Sequence, residues 1–302
     1  MHDLGIVILN WNTRDYLKRC LETVLASTGA FTLRVIVVDN ASSDDSAALV
    51  RTEFPSVELI ESATNDGYSC GNNLGLRALG YHGAGAVDAA APRYALLLNP
   101  DTEVPPDAFA QMVAFMDSRP EIGVAGPKLV LLDGSLDKAC RRSFPTPMTA
   151  AYHYSGLAKV FPHSPRFARY NMTYLDPDQE TEVDSVVGAY MQIRREAIEA
   201  VGLLDEIFFM YGEDLDWAYR IKAAGWTVVY NPRVVVKHVK RAASRRSQKA
   251  QFEFWRAMLI FYRKHYRMTT PWWLHNLVLA ALLMKGGRGL WPEIRKPQVS
   301  SS

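Results

Sequence analysis

Leu4-Gly5-Ile6-Val7-Ile8-Leu9 runs without a charge straight into Asn10-Trp11-Asn12. An uninterrupted apolar run is how a strand covered on both faces reads, the usual state of a parallel sheet. Tyr16, Leu17, Cys20, Leu21, Val24 and Leu25 follow at helical spacing. Val35-Ile36-Val37-Val38 is a second buried strand, ended by Asp39-Asn40-Ala41-Ser42, and Ser42-Ser43-Asp44-Asp45 opens a helix. Val57-Glu58-Leu59-Ile60 predicts a third strand, Asn72 to Leu79 a helix, and Gly83 to Ala91 a surface loop. Tyr94-Ala95-Leu96-Leu97-Leu98 is a fourth strand, ended by Asn99-Pro100-Asp101-Thr102. Pro105-Pro106-Asp107 opens a helix through Met116. Strands alternating with helices predict an α/β, Rossmann-like fold, its mostly parallel central sheet flanked by helices.

The second half is less regular. Residues from Gly134 to Asp184 carry prolines and aromatics without a period and read as irregular structure shaping a cleft. Ser185 to Ile193 reads as a strand, and Arg194 to Val201 as a helix closed by Gly202. Asp214 to Ala224 is a further helix, followed by two short strands, Thr227 to Tyr230 and Val234 to Val236.

The bulk numbers exclude several classes. A net charge of +2 on 302 residues gives nucleic acid no electrostatic footing. Cys20, Cys70 and Cys140 are odd in number and far apart, so neither a disulfide framework nor a metal cluster is expected, and a reducing cytosol is the expected compartment. Met1-His2-Asp3-Leu4 lacks the basic start of a signal peptide. The apolar stretch Trp272 to Met284 is interrupted by His275 and Asn276 and falls short of the roughly 18 residues that span a bilayer.

Chemistry concentrates where the strands end. In open parallel sheets ligands bind beyond the carboxyl ends of the strands, so Asn10 and Asn12, Asp39, and Asn99 with Asp101 should converge. Helix capping is the competing reading of each residue alone, Asn12 above all. Asn65-Asp66-Gly67-Tyr68 through Asn72-Asn73-Leu74-Gly75 adds glycines and amides ahead of a helix, a setting that admits an anion, without GxGxxG spacing. A carboxylate held after a buried strand, as Asp101 is, suits Mg²⁺ or Mn²⁺ with diphosphate oxygens. His238 could add an imidazole, which favours Mn²⁺. Gly212-Glu213-Asp214-Leu215-Asp216-Trp217 sets three carboxylates in four residues where a helix is expected to start. Acidic residues there also favour the helix dipole.

Taken in order, these segments resemble family 2 glycosyltransferases of the GT-A fold, from about Leu4 to His238. Leu98-Asn99-Pro100-Asp101 stands where that family has its Asp-x-Asp metal motif, with Asn99 replacing the first aspartate. Gly212-Glu213-Asp214-Leu215-Asp216 is similar to its Glu-Asp catalytic motif, and the form of both motifs is similar to the rhamnosyltransferase-like subgroup. The resemblance implies inverting transfer of a sugar from a nucleotide diphosphate sugar, with thymidine diphosphate L-rhamnose the leading donor and a uridine diphosphate sugar the alternative. The acceptor would be a glycan or polyprenyl-linked glycan of bacterial cell-surface polysaccharide. Asp214 would be the base, Glu213 and Asp216 acceptor-side residues, and Asp101 with His238 the ligands of Mn²⁺ or Mg²⁺. Asp39 would contact the nucleotide, and Asn10, Asn12, Asp66, Asn73 and Asn99 would line the donor site. Residues 1–240 would form the catalytic domain, with a nucleotide-sugar half to about 103 and an acceptor half beyond it.

A sugar nucleotidyltransferase is the rival enzyme, but its Gly-rich basic loop is missing after the first strand. A non-catalytic membrane-surface scaffold is the non-enzyme reading, and it would be expected to lose Asp101 or Asp214. Residues 241–302 form a basic and aromatic helical extension. Arg241, Arg245, Arg246, Lys249, Arg263, Lys264 and Arg267 alternate with Trp255, Trp272, Trp273 and Leu277. That mixture suits either a helix lying on the anionic inner face of the cell membrane or one packed on the catalytic body.

Overall fold

The apolar runs become strands where the sequence places them. The computed structural model describes residues 2–240 and 247–296. In its first half β1 (Leu4–Asn10), α1 (Arg14–Leu25), β2 (Leu33–Asp39), α2 (Ser46–Glu53), β3 (Glu58–Glu61) and α3 (Tyr68–Ala78) alternate as expected. A small hairpin, β4 (Tyr81–Gly83) and β5 (Ala86–Val87), occupies part of the expected loop. Then come β6 (Tyr94–Leu98), β7 (Thr102–Glu103), α4 (Ala108–Asp117) and β8 (Ile122–Val130). The second half holds α5 (Pro147–Tyr154), α6 (Leu157–Val160), β9 (Thr181–Glu182), β10 (Tyr190–Arg194), α7 (Arg195–Val201), α8 (Glu213–Ala223) and β11 (Thr227–His238). The chain closes with α9 (Gln248–His265), α10 (Trp272–Gly286) and α11 (Trp291–Arg295).

The main sheet runs β3-β2-β1-β6-β10-β8-β11-β7, with β9 beside β11. Strands β3, β2, β1 and β6 are parallel, as the buried runs require. Beyond them β10 inserts antiparallel between β6 and β8, and the sheet becomes mixed: β8 and β11 pair parallel, while β7 and β9 pair antiparallel with β11. β8 was not legible in the sequence, because Gly126 and Pro127 break its apolar run. A side chain at Gly126 would meet Val186 at 2.7 Å, so this strand needs glycine for close packing. The two short strands expected near 227–236 are one strand, β11, with a register shift between Asn231 and Val235.

The C-terminal helices differ in how they pack. Phe208 and Leu215 join Ala257, Met258, Leu259, Phe261, Leu282 and Leu290 in a second apolar core. α9 is therefore packed on the catalytic body. Lys264 reaches Asp216 at 2.8 Å, Arg263 donates to the Glu293 carbonyl at 2.9 Å, and Lys249 lies over the Phe209 ring. All three cations contact other parts of the protein, Lys249 from an exposed position, and Trp255 packs on Tyr154 at 5.0 Å between ring centres. Arg241, Arg245 and Arg246 lie outside the described residues. α10 differs: it buries only Leu282, and leaves Trp272, Trp273, Leu277 and Met284 exposed. Among the described residues no helix is long and apolar enough to cross a membrane.

Candidate active site

The ordering of strands brings distant residues to one cleft of about 570 Å³, a size suited to a small-molecule ligand. Its lining includes Tyr68, Asn99, Asp101, Asp137, Arg142, Glu213, Asp214 and His238.

Asp101 and His238 meet because of a short antiparallel pairing. β7 follows the Asn99-Pro100-Asp101 turn and pairs Thr102 with His238 of β11. The Val239 amide donates to the Asp101 carbonyl at 2.8 Å. His238 Nε2 then lies 3.4 Å from Asp101 Oδ1, while its Nδ1 sits 2.9 Å from Asp137 Oδ2. Burial alone would pull the His238 pKa down, but the two carboxylates outweigh it and hold it above the usual value. Asp137 is 2% exposed, also receives Lys240, and is held well below the usual carboxylate range by His238 and Lys240 against its own burial. A carboxylate behind an imidazole is the arrangement that orients a histidine ligand. Among the described residues no group of three or more acidic, His or Cys side chains has metal-holding geometry. Asp101 and His238 together therefore fit a cation that takes its other ligands from diphosphate and water, as Mg²⁺ and Mn²⁺ commonly do.

The acidic motif begins α8, and the helix start separates its carboxylates. Gly212 occupies the left-handed region at φ 81°, which lets the chain turn sharply into the helix. Asp214 Oδ2 accepts Arg142 Nη2 at 2.7 Å and the Gly188 amide at 3.1 Å. The partner Arg142 is itself 8% exposed, so this is a buried ion pair. Glu213 has no ion pair among the described residues. Its Oε2 is buried with no hydrogen-bond partner among the described residues. Burial and the neighbouring Asp214 charge push its pKa up to about 8. Two adjacent carboxyls thus sit in different settings: Glu213 keeps its proton near neutrality, and Asp214 is ion-paired with Arg142.

Asp216 is not in the cleft. It is fully buried on the other side of the helix, accepting Arg220 at 2.9 Å and both Lys264 and His265 at 2.8 Å. Its expected acceptor-side place is therefore corrected: it ties α8 to α9, because helical spacing turns a residue two positions on from Asp214 to a different face. Asn73 is corrected in the same way. Its amide closes on the Leu204 backbone, Nδ2 to the carbonyl at 2.9 Å and Oδ1 from the amide at 3.1 Å, and reaches Glu206 at 2.9 Å. It shapes the loop leading to Gly212 rather than lining the cleft.

Asn10, Asn12 and Asp39 do converge, as a polar cluster beyond β1 and β2. Asn10 pairs with Asp39 across the sheet and donates to it at 2.9 Å, and the Ser42 amide donates to Asp39 at 2.9 Å. Asn12 accepts the Ser43 amide at 2.8 Å. Asp66 is exposed and accepts Thr64 at 2.9 Å. None of these four lines the 570 Å³ cleft, whereas Asn99 does. Asn40 connects the two regions. Its Nδ2 donates to Asn65 and to the Gly67 carbonyl, next to Tyr68, and its Oδ1 has no partner among the described residues. Tyr68 donates to the Gly188 carbonyl at 2.9 Å and stands 3.5 Å from Asn99.

Sequence reasoning missed Asp137, Arg142 and Asn40. The signal for Arg142 was the Arg141-Arg142 pair in a stretch without period, and only the fold shows its second member buried.

A sheet of this order, parallel on one side of β6 and mixed on the other, is the GT-A glycosyltransferase fold. Two solved structures share it. GalNAc-T7, solved with UDP, GalNAc and Mn²⁺, superposes with a TM-score of 0.59 at 16% identity, over 90% of this chain and 52% of that one. The mannosyltransferase PcManGT from Pyrobaculum calidifontis, solved with GDP-Man and Mn²⁺, gives 0.58 at 15% identity, over 99% and 76%. The family model described as "Glycosyltransferase like family 2" matches residues 2–253, and the chain belongs to that family. It is a glycosyltransferase. N-acetylglucosaminyl-diphospho-decaprenol L-rhamnosyltransferase of Mycobacterium tuberculosis is 28% identical over 237 residues, covering 78% of this chain and 76% of that protein. The low-salt glycan biosynthesis hexosyltransferase Agl10 of Haloferax volcanii is 26% identical, over 74% and 62%.

Proposed function

We infer that the protein moves a sugar, with inversion, from a nucleotide diphosphate sugar to a hydroxyl of a polyprenyl-linked glycan in cell-surface polysaccharide synthesis. The observation that carries this reading is that one cleft holds both the Glu213–Asp214 pair and the Asp101–His238 pair. The M. tuberculosis relative, named for rhamnosyl transfer to a diphospho-decaprenol glycan, favours thymidine diphosphate L-rhamnose as donor and a lipid-linked acceptor. A uridine diphosphate sugar is the second reading, favoured by the UDP in the GalNAc-T7 structure.

Asp214, ion-paired with Arg142, takes the proton of the acceptor hydroxyl as that oxygen bonds to the anomeric carbon. The bond from that carbon to the diphosphate breaks on the opposite face, and its electron pair leaves with the diphosphate. Arg142 and the Gly188 amide hold Asp214 in place for this work. Glu213, carrying its own proton, donates a hydrogen bond to the acceptor and orients it. Asp101 and His238 would hold Mn²⁺ or Mg²⁺, and such an ion, when bound, neutralises charge developing on the diphosphate. The site of action is the cytoplasmic face of the cell membrane, with exposed Trp272, Trp273 and Leu277 of α10 turned to the lipid surface.

The test is hydrolysis and transfer from a panel of sugar nucleotides, with and without Mn²⁺. Turnover of thymidine diphosphate rhamnose above that of uridine diphosphate sugars is the expected result. Failure to turn over any sugar nucleotide while cleaving none of the donors would leave the scaffold reading instead. Formation of sugar nucleotide from sugar phosphate and nucleoside triphosphate would favour the nucleotidyltransferase.

A further inference from the structure

Beside the catalytic cleft lies a second cavity of about 550 Å³, walled by α5, α9 and α10. Its lining is different in kind. Met148, Ala151, Leu274, Leu277, Val278 and Ala281 dominate it, and Lys285 is its one charged residue among the described residues. The α10 wall from Leu274 to Lys285 runs about 16 Å at the helical rise. The groove is built rather than incidental: Tyr262 of α9 and His275 of α10 meet at 2.9 Å, and Leu282 is 8% exposed in the core beneath. The two cavities share Tyr154, Trp255 and Met258. The apolar trough therefore adjoins, across a wall the two have in common, the polar cleft that holds Asp214.

We propose that this groove receives the hydrocarbon chain of a polyprenyl-linked acceptor and so delivers the acceptor's sugar to Asp214. The inference rests on the lipid-linked acceptor reached above and adds where its lipid is held. The order of surfaces matches the order of groups in such a molecule: chain, phosphate, sugar hydroxyl. The chain meets Leu277, Val278 and Ala281. At the junction, His153 presents an Nδ1 that is buried without a partner among the described residues, beside Tyr154 of the shared wall. Farther into the cleft, Arg142 and Lys240 are ion-paired with Asp214 and Asp137. A second copy of the chain could cover the outer face of α10, but it offers no reason for an apolar trough to share a wall with the cleft that holds the carboxylates. The exposed Trp272 and Met284, 76% and 79% accessible, would keep the groove mouth at the membrane from which such a chain must be drawn.

The probe is a long-chain polyprenyl phosphate carrying a photoreactive diazirine near its tail, presented to the full-length protein in mixed micelles. Labelling is expected on 147–154 and 272–286. It should be competed by unlabelled long-chain polyprenyl phosphate and far less by geranyl phosphate. Ala151→Trp with Ala281→Trp fills the groove from both walls at exposed positions, and should cut labelling at least tenfold. Leu277→Glu should do the same by a different route. Labelling that is undiminished in both variants, or confined to Trp272 and Met268 on the outer face, overturns the proposal in favour of surface adsorption. Dimers in sedimentation that Leu277→Glu dissolves, without long-chain labelling of the groove, overturn it in favour of self-association. Donor hydrolysis is measured on the same samples. Its absence from the unmodified protein would sink the transferase reading while leaving the labelling result to stand or fall alone.

Discussion

Glu213→Gln should make this protein more stable, and the gain should grow with pH. Glu213 is 6% exposed, has an unpartnered oxygen and lies beside the Asp214 charge. Burial and that charge raise its pKa from 4.5 to about 8. The folded chain therefore keeps a proton that the unfolded chain has released throughout the interval between those values. Stability is unaffected below the unfolded pKa and falls as pH rises through the interval. At 1.36 kcal/mol per unit, the cost is about 3 kcal/mol at pH 7 and nears 5 kcal/mol once pH passes the folded value. Glutamine keeps the shape and a hydrogen-bond donor but cannot ionise. Urea unfolding of both proteins at about pH 5 and about pH 8 reads the difference directly. The variant should gain little at the lower pH and several kcal/mol at the higher. Turnover should fall less than tenfold, since the amide still donates to the acceptor. Parallel pH profiles for the two proteins would refute the reasoning, because the carboxyl would then ionise in place without cost.

Asp214→Asn should leave donor binding nearly intact and lower turnover by at least about 10²-fold, the low end for a general base; near-normal turnover of the folded variant removes Asp214 from that role. Asp101→Ala should abolish the Mn²⁺-dependent tightening of nucleoside diphosphate binding, and His238→Ala should weaken it less; calorimetry with and without the ion reads both, and unchanged metal dependence in Asp101→Ala rules out the assignment. Asp216→Asn should cost about 3–5 kcal/mol in urea unfolding, because it leaves Lys264 and Arg220 beside an uncharged partner in a buried network. Burial opposes ionisation of Asp216, but His265, Arg220 and Lys264 outweigh it and hold the group at about 2. That contributes roughly 2 kcal/mol above the unfolded pKa, lost as pH falls from 3.8 towards 2. An acid unfolding curve shared by the parent and Asp216→Asn would count against this.

The parallel half of the sheet was legible because burial on both faces leaves a mark that needs no partner to read. Leu4–Asn10 and Tyr94–Leu98 are apolar at successive positions, and each ends in polar residues. The antiparallel part carries no such mark. β7 is two residues long, and β8 is broken by glycine and proline, yet their pairing with β11 sets His238 beside Asp101. A lone histidine at the end of an apolar strand shows its chemistry only once the strand across from it is known. The tail was ambiguous for a related reason. Aromatic and basic residues mix equally well in an interfacial helix and in a packed one. The packing of α9 rests on Phe208 and Leu215, residues outside the tail that offer it an apolar face.

The acidic motif shows how far a cluster of like residues can mislead when only spacing is known. Glu213, Asp214 and Asp216 are one feature in the sequence and three environments in the fold. Asp214 points to Arg142, seventy-two positions upstream, and is held by that pairing. Glu213 points into the cleft without a cation and keeps its proton. Asp216 turns away to His265 and Lys264 and serves as the tie between α8 and α9. The last of these links the site to the groove. α9 also carries Trp255 and Met258, which wall both cavities. The same ion network that fixes the start of the catalytic helix thus fixes the wall along which an acceptor would slide. Loosening it by Asp216→Asn should therefore disturb acceptor use more than donor hydrolysis, since the Asp101–His238 pair depends on β7 and β11 and not on α9.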